Sequence, residues 1–149
     1  MILLLLYQAV LRLIEKPELV QLAVRCYTRS LALSPDNCGT WHDLGLVTSS
    51  LAPLAPGSQR AQLAERAKLC LKKAISLSPR QHSLWTSLGV VAAQDEDWAL
   101  AQHCFTRSLQ IETSSAAWTN LGTVYLQLGE TKLANRAFKV GRKANILCR

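Results

Sequence analysis

Aromatic and turn-forming residues are scarce in these 149 residues: two Phe and three Tyr stand beside four Trp, with only seven Gly and five Pro. That shortage disfavours a β-sandwich or barrel, whose many short strands draw on aromatic and β-branched residues and need frequent turns. No Cys-x-x-Cys pair occurs, and His42, His82 and His103 lie far apart, so neither a zinc site nor a thioredoxin-like site is expected. The five cysteines are an odd number in a chain too long to need stapling, which argues for a reducing compartment.

Targeting and catalytic signatures are missing as well. The apolar start, Met1 to Leu6, has no basic residue before it, no small-x-small cleavage site after it, and is interrupted by Arg12. It is too short to span a bilayer and reads as the apolar side of a first helix. There is no G-x-S-x-G, no Gly-rich phosphate loop, no H-E-x-x-H and no nucleophile–base pair, so no enzyme, cofactor or metal is expected. The sole acidic cluster, Asp95-Glu96-Asp97, falls between Gln94 and Trp98, where it is expected to cap a helix.

What the chain does have is leucine and alanine throughout, 49% hydrophobic residues in all. This is material for an all-α domain. A repeat is visible in it. Trp41-His42-Asp43-Leu44-Gly45, Trp85-Thr86-Ser87-Leu88-Gly89 and Trp118-Thr119-Asn120-Leu121-Gly122 all read W-x-x-L-G, and the third runs on to Tyr125. A second signature follows at spacings of four and three: Ala67, Leu71 and Ala74; Ala101, Phe105 and Ser108; Ala134, Phe138 and Gly141. Ala23, Tyr27 and Ser30 carry it earlier. Pro35 and Pro79 each stand six residues before the next Trp.

This grammar resembles the tetratricopeptide repeat family over essentially the whole chain. The resemblance implies four helical hairpins stacked as a solenoid, at about residues 4–37, 38–81, 82–114 and 115–148. The residue types fit that architecture. Gly lets antiparallel helices approach, the second-helix aromatic fills space between hairpins, and Trp gives a wide apolar contact. On this reading Trp41, Gly45, Ala67, Trp85, Gly89, Ala101, Phe105, Trp118, Gly122, Tyr125, Ala134 and Phe138 build the repeat. Trp41 to Trp85 spans 44 residues, so about ten extra ones are expected as a loop near 49–60, in a stretch holding two Pro and a Gly. Trp85 to Trp118 spans 33, with the closing Pro replaced near Thr113. The first unit departs most, with Tyr7 in place of Trp and Val10-Leu11 in place of Leu-Gly.

Register gives three cysteines a structural place. Cys26, Cys70 and Cys104 each follow the second-helix alanine by three, where the fourth unit has Ala137, and are expected as small core residues. The net charge of +7 concentrates on second helices, at Arg25, Arg29, Arg66, Lys68, Lys72, Lys73, Arg107, Arg136, Lys139, Arg142 and Lys143. Such a convex face is ordinarily solvated, and an RNA-binding surface there is a less favoured alternative. The concave groove is expected from first helices, with His42, Leu46, Thr86, Val90, Thr119, Asn120, Thr123 and Gln127 as candidate binding residues. Family members that grip C-terminal carboxylates use Lys, Arg and Asn there. Here only Asn120 is present, with Asp43 and Ser87 at the equivalent places, so an apolar or mixed peptide suits the groove better.

Residues 117–126, followed by Ala134-Asn135-Arg136-Ala137-Phe138-Lys139, are similar to the long scaffold subunits of superkiller complexes. That resemblance implies a non-catalytic scaffold holding an RNA helicase and a β-propeller subunit for exosome-linked 3′-to-5′ mRNA decay, in the cytoplasm and secondarily the nucleus. A generic peptide-groove adaptor is the alternative. Neither end carries the polar cap that repeat arrays need, so a piece or short form of a longer array, or another chain covering the ends, is expected.

Overall fold

The computed structural model describes residues 17–147. The expectations for Tyr7, Val10-Leu11, the apolar start and Cys148 fall outside them. Seven α-helices make up the described chain: α1 (Pro17–Leu33), α2 (Cys38–Leu51), α3 (Gly57–Leu77), α4 (His82–Gln94), α5 (Trp98–Ile111), α6 (Ser115–Gln127) and α7 (Thr131–Leu147), with a 3-10 turn at Ala52–Leu54. No strand occurs among the described residues. The chain forms two compact units, one running to Lys73 and the other from Ala74, so that α3 contributes to both.

In the first unit, Asn37 starts α2 by accepting the Thr40 N–H on its side-chain oxygen at 3.0 Å. The indole N–H of Trp41 donates to the Pro35 carbonyl at 2.7 Å, tying α2 to the turn before it. A core of Leu31, Leu44 and Cys70, flanked by Val24, Tyr27 and Trp41, joins α1, α2 and α3. At Gly45 α2 approaches α3 closely. A Cβ there would stand 2.7 Å from Leu71 Cγ and 3.3 Å from the Ala67 carbonyl oxygen.

The expected loop over 49–60 is much shorter. Residues 49–51 complete α2, 52–54 form the 3-10 turn, and α3 has begun by Gly57. The Pro56 carbonyl accepts the N–H groups of Gln59 and Arg60, so the Pro-Gly string opens a helix here as well as breaking one. The extra residues lengthen α3: ten residues separate Gly57 from Ala67, against three from Trp98 to Ala101, which makes about two added turns.

The second unit holds α4/α5 and α6/α7 as antiparallel hairpins around Ala92, Ala101, Phe105, Leu121 and Val124. Their two turns have one shape. After α6, Gly129 takes φ of 79° while the Glu130 N–H reaches back to the Tyr125 carbonyl. After α4, Glu96 occupies the same place at φ of 59°, the Asp97 N–H returns to Ala92, and the Asp97 carboxylate caps α5 through the Leu100 N–H. The acidic cluster is thus a helix-reversal element.

Trp85 repeats the Trp41 device, donating to the Pro79 carbonyl at 2.9 Å. Trp118 cannot. Six residues before it stands Glu112, whose φ of −150° is closed to proline and turns the backbone differently, and the buried Trp118 Nε1 has no hydrogen-bond partner. The Glu112 carboxylate instead meets His82 Nε2 at 3.3 Å.

Candidate functional site

Two surfaces bear on binding. The first is the exposed side of the first helices. In the second unit α4 and α6 meet, and they present uncharged side chains at corresponding positions: Val90, 36% exposed, on α4, and exposed Thr123 and Gln127 on α6. Leu126 joins them at 49% exposure. Its register position could have identified it, since it lies eight residues after Trp118, on the face of Thr119 and Thr123. Leu46 on α2 is exposed too, at the place of Val90 and Thr123.

The hydroxyls on this side are largely satisfied within the fold. Thr119 Oγ1 donates to Ser115 O at 2.9 Å and Thr123 Oγ1 to Thr119 O at 3.1 Å. Thr86 is half-buried and turned toward α5, its hydroxyl 2.8 Å from that of Ser108 and 3.2 Å from the His82 carbonyl. Ser108 Oγ also donates to the His82 carbonyl, so Thr86 helps lock the hairpin. His42 is partly buried, with Nδ1 3.6 Å from the Asp43 carboxylate. Asn120 is half-buried beside the exposed Thr119. The surface left to a ligand is therefore methyl and methylene groups with a few amides.

The second surface is a cleft of about 690 Å3 in the first unit, between α1, the C-terminal end of α2, the 3-10 turn and the added turns of α3. Leu51 and Leu54 give it an apolar wall, Arg25 and Arg66 reach it from two different helices, and Thr48 lies against it. Sequence reasoning misses this site. Its members come from three helices, and the one local signal is Thr48 itself, a hydroxyl at the register place of Ala92 and Tyr125.

Charge and thiols follow the register with two exceptions. Ten of the eleven second-helix cations named above are exposed, but Lys68 is 4% exposed and pairs with Glu65 one turn away. Its side chain lies along the packed side of α3 and carries its ammonium out to the carboxylate. Arg107 lies 5.7 Å over the Trp85 ring and hydrogen-bonds Gln110, which ties up one exposed cation. Cys70 and Cys104 are buried, as the register requires, and burial raises the Cys70 thiol above its ordinary range against a smaller opposing pull from Arg66. Cys26 is exposed, contrary to expectation. This helix position faces the preceding hairpin, as Cys70 faces Leu31, and no described element lies on that side of α1.

Among the described residues no group of three His, Cys, Asp or Glu side chains is placed to hold a metal ion, and no helix is long and apolar enough to cross a membrane. The first surface offers shape and mainly apolar contact, and the cleft adds the cations Arg25 and Arg66.

No family model matches the sequence. The chain is 35% identical over 151 aligned residues to tetratricopeptide repeat protein 37 of Xenopus laevis, an alignment that takes in 91% of this chain but only 9% of that protein. In backbone it is similar to a thermophilic TPR protein of Thermus thermophilus, with a TM-score of 0.76 at 22% identity over 85% of this chain and 66% of that one. A crystal structure of MamA gives 0.70 at 23% identity, over 83% and 67%. The chain therefore has the tetratricopeptide fold.

Proposed function

We propose that this chain is a non-catalytic protein-binding scaffold of the tetratricopeptide type, and that it serves a cytoplasmic RNA-decay assembly of the superkiller kind. The observation that carries the scaffold reading is the uncharged face shared by α4 and α6, where Val90, Thr123, Leu126 and Gln127 remain exposed although the helices beneath them are closely packed. A face of this composition suits an extended or helical peptide with apolar side chains, held by shape and few hydrogen bonds. The finer assignment rests on the wording of residues 117–139, and the identity with a frog repeat protein supports a relationship to long arrays. By that resemblance the partners are an RNA helicase and a β-propeller subunit. Direct RNA contact would use the exposed cations of the second helices, including Lys72 and Lys73.

The test is a pull-down from cytoplasmic extract with the tagged chain, at low and high salt, with and without ribonuclease. Recovery of a helicase and a β-propeller protein after nuclease treatment is expected. Recovery that vanishes with nuclease or falls steeply with salt would transfer the reading to the basic face, because RNA binding releases counterions. Chaperones alone would contradict the scaffold assignment.

A further inference from the structure

The cleft of the first unit is a product of the longer repeat. The two added turns of α3 extend beyond the helix start seen in α5, and Leu51 at the end of α2 and Leu54 in the 3-10 turn line the cleft beside them. Its volume, about 690 Å3, lies within the roughly 300–1,000 Å3 of cavities that take small ligands, so it admits a few side chains and not a folded domain.

Three features together point to an occupant. Thr48 is only 1% exposed, yet its hydroxyl has no hydrogen-bond partner and it lines the cleft. A buried unpaired hydroxyl is costly, and a bound acceptor or donor would satisfy it. Arg25 and Arg66 line the same cleft from α1 and α3, neither is in an ion pair with a described residue, and no carboxylate lies among the lining residues. Leu51 and Leu54 line the same cleft, and so do the exposed Gln21 and Gln62, whose amides suit main-chain groups.

We propose that this cleft binds a short peptide segment of another protein in which acidic and apolar side chains alternate. The carboxylates pair with Arg25 and Arg66, whose planar forks fit them, and the apolar side chains rest on Leu51 and Leu54. The Thr48 hydroxyl, closed off in the free chain, turns toward the cleft to hydrogen-bond the peptide main chain. This proposal stands apart from the α4/α6 face and does not rest on it.

The experiment is fluorescence anisotropy of the full chain with a labelled ten-residue peptide alternating leucine and glutamate, beside a leucine–lysine counterpart, an acidic peptide without leucine, free glutarate and a ten-nucleotide RNA. Saturable binding of the leucine–glutamate peptide alone is expected. Arg25→Glu and Arg66→Glu should each weaken it about tenfold, whereas Lys132→Glu, the same charge change on the exposed start of α7, should leave it within about twofold. Thr48→Val, which keeps the shape, should weaken binding several-fold in a chain that unfolds at the same or higher urea concentration. The proposal is overturned by no saturation at millimolar chain. Equal loss with Lys132→Glu, or binding of glutarate or RNA as tight as that of the peptide, overturns it too. So does an NMR or cross-linking result that seats residues 1–16 of the chain itself in the cleft.

Discussion

Replacing Gly89 by alanine should destabilise the second unit even though helix propensity argues the opposite. Alanine is favoured over glycine inside a helix by about 1 kcal/mol. At this position, however, the new Cβ would stand 2.7 Å from Phe105 Cε1 and 2.9 Å from both Cδ1 and Cζ. These separations are well inside the roughly 3.5–4.0 Å at which carbon atoms rest. The ring is 1% exposed and clustered with Ala92, Leu121 and Val124, so it cannot swing aside without disturbing α6. Overpacking of a rigid site costs about 1–3 kcal/mol, and three ring atoms against one methyl place this site toward the upper part. The net expectation is a loss of about 1–2 kcal/mol, read as a lower urea midpoint by far-UV circular dichroism. Gly57→Ala, where nothing lies within 4 Å and φ is not positive, is the control and should be neutral or slightly stabilising. Adding Phe105→Leu to Gly89→Ala should cost less than the sum of the two single changes, since the smaller side chain removes the clash. A higher midpoint for Gly89→Ala, or strict additivity, would refute the close-approach argument.

Other expectations follow from single contacts. Glu96→Gly should stabilise by about 1 kcal/mol in the same urea assay, because Glu96 holds the left-handed conformation that Gly129 takes in the next hairpin. Trp118→Phe should cost about 1 kcal/mol less than Trp85→Phe, since only the Trp85 indole surrenders a hydrogen bond. Under native conditions a thiol reagent should modify Cys26 quickly and Cys70 and Cys104 only on unfolding. Burial raises the Cys70 thiol, so as pH climbs the unfolded chain loses this proton first; the stability it contributes is whole below the ordinary thiol range and declines as pH rises through and above it. A urea midpoint that rises over that alkaline interval in wild type relative to Cys70→Ala would contradict the assignment.

The hairpin pattern is legible in the sequence because each of its marks answers a local contact that recurs. Gly45, Gly89 and Gly122 each lie where a Cβ would strike the second-helix residue at the corresponding place, Leu71, Phe105 or Phe138. Residues 49–60 mislead because proline and glycine open helices as well as end them, and the Pro56 carbonyl does so here. Cys26 and Cys70 share a register position but differ in what lies beside it, which no periodicity records. Charge alone assigns Lys68 outward, whereas its long stem allows burial with only the ammonium reaching Glu65. The cleft is invisible to periodicity since its lining comes from three helices and the turn at Ala52–Leu54. The 44-residue Trp spacing and the misplaced Thr48 are its only traces in the sequence.

The scaffold account is tested most directly by repeating the nuclease-treated pull-down with two variants beside the wild-type chain, Thr123→Trp on the α4/α6 face and Lys72→Glu with Lys73→Glu on the exposed basic side of α3. The account predicts that Thr123→Trp alone, while keeping the wild-type circular dichroism, loses the helicase and β-propeller partners. Retention of those partners by Thr123→Trp, with their loss from the double lysine variant, would contradict it.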